Sequence, residues 1–162
     1  MSMEAWEFVR MLECAMAVAN ARLFGERGNA ARRVMGRIMA ELISDRVPDD
    51  PREALLSILE PLAEVELDGD RVRVSGCRVC YSPLLLDVAT DREIEVIRKV
   101  VPCNVVNLFN SLAELKGWNV RLKPERTPLS GDTEPGSCVQ RLERVSEEED
   151  GTTVMRTRCP DG

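Results

Sequence analysis

The stretch EVELDGDRVRVSGCRVC, residues 64–80, decides the architecture. Val65 and Leu67 alternate with Glu64, Glu66 and Asp68, and Val72 and Val74 alternate with Arg71 and Arg73, around an Asp68-Gly69 pair suited to a tight turn. Period-two patterning on both sides of such a pair predicts a β-hairpin with strands over 64–67 and 71–74. Gly76 then lets the backbone turn, and Cys77 and Cys80 follow as a C-x-x-C.

On either side of this hairpin the hydrophobic period is 3.6. Residues 5–24, AWEFVRMLECAMAVANARLF, carry apolar side chains on nearly every face, the pattern of a helix covered on most sides or lying in a subunit interface. GERGN at 25–29 interrupts it. From Asn29, read as an N-cap, the positions Ala31, Val34, Met35, Ile38, Met39 and Leu42 form one stripe predicted to face the core, with Arg32, Arg33, Arg37 and Glu41 opposite. Asp49-Asp50-Pro51 is a helix start, an acidic cap followed by Pro at the first helical position, and it opens a short helix through Leu59. Residues 91–101 and 104–116 are predicted helices, the second ended by Gly117, and 118–124 and 138–145 are predicted strands joined by the turn-rich TPLSGDTEPGS. The expectation is one α+β domain over 1–145, with N-terminal helices packed on a small antiparallel twisted sheet and further helices inserted. An acidic, aperiodic tail, 146–162, is expected to be mobile.

Composition removes much chemistry. The chain has no histidine, which excludes a Ser-His-Asp triad, a Cys-His dyad, a His-ligated haem and imidazole-based zinc catalysis. A net charge of −6 argues against nucleic acid as partner, because backbone affinity comes from neutralisation by Lys and Arg. The basic run Arg22, Arg27, Arg32, Arg33 and Arg37 reads as a solvated helix face, or else as a surface for an anion or an acidic partner. Glu4 and Glu7 occupy the place where a secretory signal would be basic, and no apolar run is long enough to span a bilayer, so a cytoplasmic location is expected.

In that compartment six cysteines point to metal ligands, redox groups or core thiols rather than disulfides. Cys77 and Cys80 on a turn can face one ion, with the intervening N–H groups supporting the sulfurs. Their rivals are chance and a thioredoxin-like redox pair, but such a pair belongs at a helix start, whereas here Tyr81-Ser82-Pro83 follows. The other half of a site would come from Cys103, at the start of a helix, and Cys138, at the start of a strand. Cys77, Cys80, Cys103 and Cys138 together would make a closed thiolate set suited to zinc, less so to iron–sulfur, with Glu125 as a substitute ligand. Cys14, among alanines and methionines, reads as a small core residue, and Cys159 lies in the tail.

In layout, residues 28–145 resemble the 4-vinyl reductase domain, also called the hydrocarbon-binding domain, found alone in archaea and as the sensor module of phenol- and toluene-responsive activators. The resemblance is carried by the NAARRVMGRIMAEL helix, the hairpin leading to GCRVC, the segment VVPCNVVNLFNSLAELKGW, and the run from Glu125 to PGSCVQRL. It implies that Cys103, Glu125 and Cys138 correspond to zinc-ligand positions, and that helices and sheet enclose a cavity for a small apolar or aromatic molecule. Two positions depart from the family pattern: Pro128 stands where a further cysteine is usual, and Gln140 where an aromatic often stands. Cys77 or Cys80 would supply the missing thiolate. Tyr81, Phe109 and Trp118 are the candidate ligand-binding aromatics, against the plainer reading of ordinary core.

The function expected from the sequence is therefore a non-catalytic small-molecule-binding or sensory domain with a structural zinc. It has no nucleophile beside a base, no phosphate-cradling loop and no dinucleotide fingerprint. The alternatives are a protein–protein scaffold and an accessory subunit of tetrapyrrole or reductase chemistry. Homodimerisation through the apolar first helix completes the expectations.

Overall fold

The structure, a computed structural model, describes residues 3–99 and 103–145. The predicted tail, 146–162, with Cys159, lies outside the described residues. In chain order the elements are α1 (Ala5–Phe24), α2 (Gly28–Ile43), α3 (Pro51–Leu59), β1 (Glu64–Asp68), β2 (Arg71–Ser75), α4 (Ser82–Val88), α5 (Asp91–Arg98), α6 (Asn104–Lys116), β3 (Val120–Arg126) and β4 (Cys138–Arg144), with short 3-10 turns at 25–27, 44–46 and 128–130. This is the α+β architecture that the change of period predicts. No helix among the described residues is long and apolar enough to cross a membrane.

Local chemistry explains most boundaries. The Asp50 carboxylate accepts hydrogen bonds from the Arg52 and Glu53 N–H groups, both at 3.0 Å, and Pro51 occupies the first turn of α3. Thr90 and Glu93 close a reciprocal capping box at the start of α5. Gly117, at φ 70°, ends α6 in the left-handed conformation. The sequence reading missed α4, because seven residues with three consecutive leucines show no period, and only Leu85 among them is buried.

The four strands are antiparallel in the order β1-β2-β4-β3, so the last strand enters between the hairpin and β3. The inner face of the sheet carries Val72, Val74 and Leu122, which pack with Leu55 and Leu59 of α3 and Val105, Val106 and Phe109 of α6. Outward positions are charged, including Arg71, Arg73, Lys123 and Arg141, as expected of an antiparallel sheet covered on one side. A second cluster joins Cys14, Ala17, Val18 and Ala21 of α1 to Tyr81, Leu85 and Ile97, giving α1 cover from α4 and α5. Cys14 is a core residue, as expected.

Helix α2 reverses the predicted orientation. The buried positions are Gly28, Asn29, Arg32, Gly36 and Ala40, with Arg32 at 5% exposure and Ala40 at 1%, whereas Val34, Ile38 and Leu42 stand 55%, 51% and 70% exposed. Asn29 is not the cap; it lies inside the helix and is buried. Close approach is the reason. A Cβ on Gly36 would sit 3.1 Å from the Asn107 carbonyl oxygen, and one on Gly28 would sit 2.5 Å from that of Asn20, so the stripe of small residues seats α2 against α6 and α1. The branched stripe would not fit there. Arg32 reaches through the same contact to buried polar partners.

Candidate functional site

All four cysteines singled out from the sequence line one cavity. It has a free volume of about 80 Å³ and lies where the β2–α4 loop, the first turn of α6, the β3–β4 connection and α1 meet. Backbone bonding holds the loops in register: the Cys77 N–H donates to the Gly136 carbonyl at 2.9 Å, and that of Cys80 to the Cys77 carbonyl at 3.4 Å. Gly136 has φ 83°, and a Cβ there would meet the Cys77 nitrogen at 3.3 Å, so the residue before Ser137-Cys138 must be glycine for the two cysteine loops to touch. Cys103 is the N-cap residue of α6, and Cys138 opens β4 with its side chain on the inner face of the sheet.

Burial favours the protonated form of the Cys77, Cys103 and Cys138 thiols. Burial pushes Cys138 up to about 12, and the neighbouring Cys103, Cys77 and Cys80 would raise it further if charged, against one N–H donation from Gln140. Burial likewise pushes Cys103 to about 11, although the residue keeps some surface along the cavity, while the backbone N–H groups of Val105 and Val106 favour its thiolate. Cys77 is raised by burial, opposed by the N–H groups of Val79 and Cys80. These thiols are unlike reactive cysteines, whose pKa values are depressed. They are neutral groups with backbone donors ready to support charge should a cation supply it.

Two residues that the sequence reading passed over border the site. Glu13 of α1 lines the cavity, and its carboxyl is raised by burial against a hydrogen bond with Asn104 and the charge of Arg32. Arg32, assigned from the sequence to a solvated face, donates to the Tyr81 hydroxyl at 2.8 Å and to the Asn104 side-chain oxygen at 3.1 Å, and its guanidinium lies 5.8 Å from the Tyr81 ring centre. An acid in the largely apolar middle of α1, beyond the first turn that holds Glu7, was the available signal for Glu13. For Arg32, the four-residue spacing of Gly28, Gly36 and Ala40 around it was the signal. Gln140, 2% exposed, also faces the cavity; its amide nitrogen donates to the Cys138 sulfur at 3.3 Å, and its Oε1 has no hydrogen-bond partner.

The other expected site residues are placed elsewhere. Glu125 falls at a bulge between Pro124 and Arg126, and its carboxylate pairs with Arg141 at 2.6 Å and Arg71 at 3.6 Å, both on the outer face of the sheet. Alternation alone accounts for this: with Leu122 facing inward, Lys123 and Glu125 both face outward, away from Cys138. Tyr81 lines the cavity, but Phe109 and Trp118 do not: their rings, 5.9 Å apart, belong to the core beneath the sheet. The basic run is dispersed, with Arg22 paired to Glu93 at 3.0 Å, Arg32 buried, and Arg33 and Arg37 exposed.

No family model matches this chain, and no curated protein matches it either. Among the described residues, no group of three or more His, Cys, Asp or Glu side chains is arranged to hold a metal ion. The donor set around the cavity therefore fits a soft cation in chemistry, while the sulfurs as they stand do not close round a common centre.

Proposed function

We propose that this chain is a non-catalytic domain organised around a four-thiolate zinc site at Cys77, Cys80, Cys103 and Cys138, and that it works as a sensory or assembly module. The observation that carries the reading is that four cysteines from three separate parts of the sequence border one small cavity, with backbone N–H groups favouring charge on Cys77 and Cys103. Zinc would draw the four sulfurs onto one point and replace the protons that burial favours on Cys77, Cys103 and Cys138. Bound there it would crosslink the hairpin, α6 and β4, a structural rather than a chemical contribution. Four thiolates around a divalent ion would leave a negative site, and Arg32 holds Tyr81 and Asn104 of the cavity lining behind it.

The resemblance to the 4-vinyl reductase domain adds a small apolar or aromatic ligand. The free volume of about 80 Å³ holds an ion and little more, whereas small-molecule sites run from ~300 to 1,000 Å³. A hydrocarbon would have to part the loops at 76–82 and 127–137, so the metal reading is the better supported of the two. Raised thiol pKa values and the absence of histidine both weigh against turnover.

Elemental analysis of untagged protein prepared without chelator tests the proposal. One zinc per chain is expected, lost in Cys80→Ser and in Cys138→Ser, with a lower melting temperature in each variant. Protein that is free of metal, folded and indifferent to added zinc would overturn the metal site. A saturable thermal shift with phenol or toluene that survives metal removal would favour the ligand reading instead.

A further inference from the structure

The outward stripe of α2 lacks cover. Val34, Ile38 and Leu42 recur every fourth residue and are more than half exposed, on a helix whose opposite side is fixed against α6. Three branched apolar side chains in line on a surface mark a contact with another molecule. One flank of this stripe carries Arg33, Arg37 and Glu41, also at four-residue spacing and all exposed. Among the described residues none of the three forms an ion pair.

We propose that this face is where two copies of the chain associate, α2 packing antiparallel on the partner's α2 about a two-fold axis at Ile38. Self-complementarity selects the occupant and the direction. With a rise of about 1.5 Å per residue, Glu41 stands about 4.5 Å along the helix from the axis, and the two-fold brings the partner's Arg37 and the partner's Arg33 to about 1.5 and 7.5 Å on that same side. Each glutamate therefore lies between two arginines of the other copy, and the arrangement repeats by symmetry. Val34 meets the partner's Leu42, and Ile38 meets its own counterpart. A parallel pairing would set this charged flank against the other flank, which carries Met35 and Met39, and would leave its charges unmatched. A bilayer surface with anionic headgroups would also accept the arginines and the apolar stripe, but it would repel the glutamate placed among them. The contact differs from that expected through α1, where Cys14, Ala17, Val18 and Ala21 pack inside the subunit while Phe8, Met11, Leu12, Leu23 and Phe24 stay exposed.

Sedimentation velocity across ~1 to 200 µM tests this, since one helix pair is a small interface and an affinity in the micromolar range is expected. Wild type should pass from monomer to dimer over that range. Ile38→Glu should remain monomeric throughout with an unchanged circular dichroism spectrum, the position being exposed. Glu41→Arg should weaken association at least ~10-fold, and the triple charge swap Arg33→Glu, Arg37→Glu, Glu41→Arg should restore it to within about threefold of wild type. Wild type that stays monomeric, a dimer that survives Ile38→Glu, or a swap that fails to restore association would each overturn the proposal. So would co-sedimentation of a monomeric wild type with phosphatidylglycerol vesicles that Ile38→Glu abolishes, which would assign the stripe to a membrane surface.

Discussion

Arg32 and Arg33 are adjacent, identical and indistinguishable by composition, yet removing their charges should have very unequal costs. Arg32 is 5% exposed, and its guanidinium donates to the Tyr81 hydroxyl and the Asn104 side chain. Arg32→Met keeps much of the volume and removes both bonds. A hydrogen bond from a charged donor contributes about 1.5–3 kcal/mol, and the two bonds share one guanidinium, so the loss falls short of their sum. The Tyr81 hydroxyl, in a residue 5% exposed, is left without this donor, and Glu13 loses a favourable charge. Together these give an expected destabilisation of about 3–5 kcal/mol, against less than about 0.5 kcal/mol for Arg33→Met on the exposed face. For a chain of this length that corresponds to roughly 6–20 °C in Tm. Urea unfolding followed by far-ultraviolet circular dichroism, with slopes compared so that only midpoint shifts are read as stability, measures both variants. Equal costs at the two positions, or a cost below about 1 kcal/mol for Arg32→Met, would refute the orientation assigned to α2 and the buried network that depends on it.

Further outcomes follow from the same contacts. Gly36→Val should cost at least about 1–3 kcal/mol in urea unfolding, because its Cβ would meet the Asn107 carbonyl at 3.1 Å and force α2 away from α6. Phe109→Ala should cost about 3–5 kcal/mol yet leave metal stoichiometry unchanged, since the ring is fully buried but lies off the cavity; loss of metal in a folded Phe109→Ala would contradict that separation. The pH dependence has a definite sign. The Cys103 and Cys138 thiols are raised from 9.0 to about 11 and about 12, so the unfolded chain releases these protons first. Their contribution is complete below pH 9 and is lost as pH rises through 11 to 12. Metal-free protein should accordingly melt at progressively lower temperature above pH 9, and Cys103→Ala with Cys138→Ala should flatten that slope. Zinc binding at neutral pH should release protons, measurable by calorimetry in buffers of different ionisation enthalpy.

The sequence alone determined the class of fold and nearly all its parts. The hairpin at 64–75 was legible because one face of an antiparallel sheet is wet, and alternation records that face directly. The starts of α3 and the end of α6 were legible because a cap is a local bond between residues close in sequence. The convergence of Cys77, Cys80, Cys103 and Cys138 on one cavity could be guessed from their places at element boundaries, which an antiparallel sheet gathers at one end.

Which face of α2 is inside was decided only in three dimensions. A hydrophobic stripe reports the preference of side chains for leaving water, but the helix is seated by how closely α6 can approach, and that depends on Gly36 and Ala40 meeting Asn107 and Leu108 across the contact. The burial of Arg32 beside Tyr81 is likewise a property of helices once packed. Periodicity is written along one segment, whereas steric fit belongs to two segments at once, so only the assembled fold could choose between the two faces.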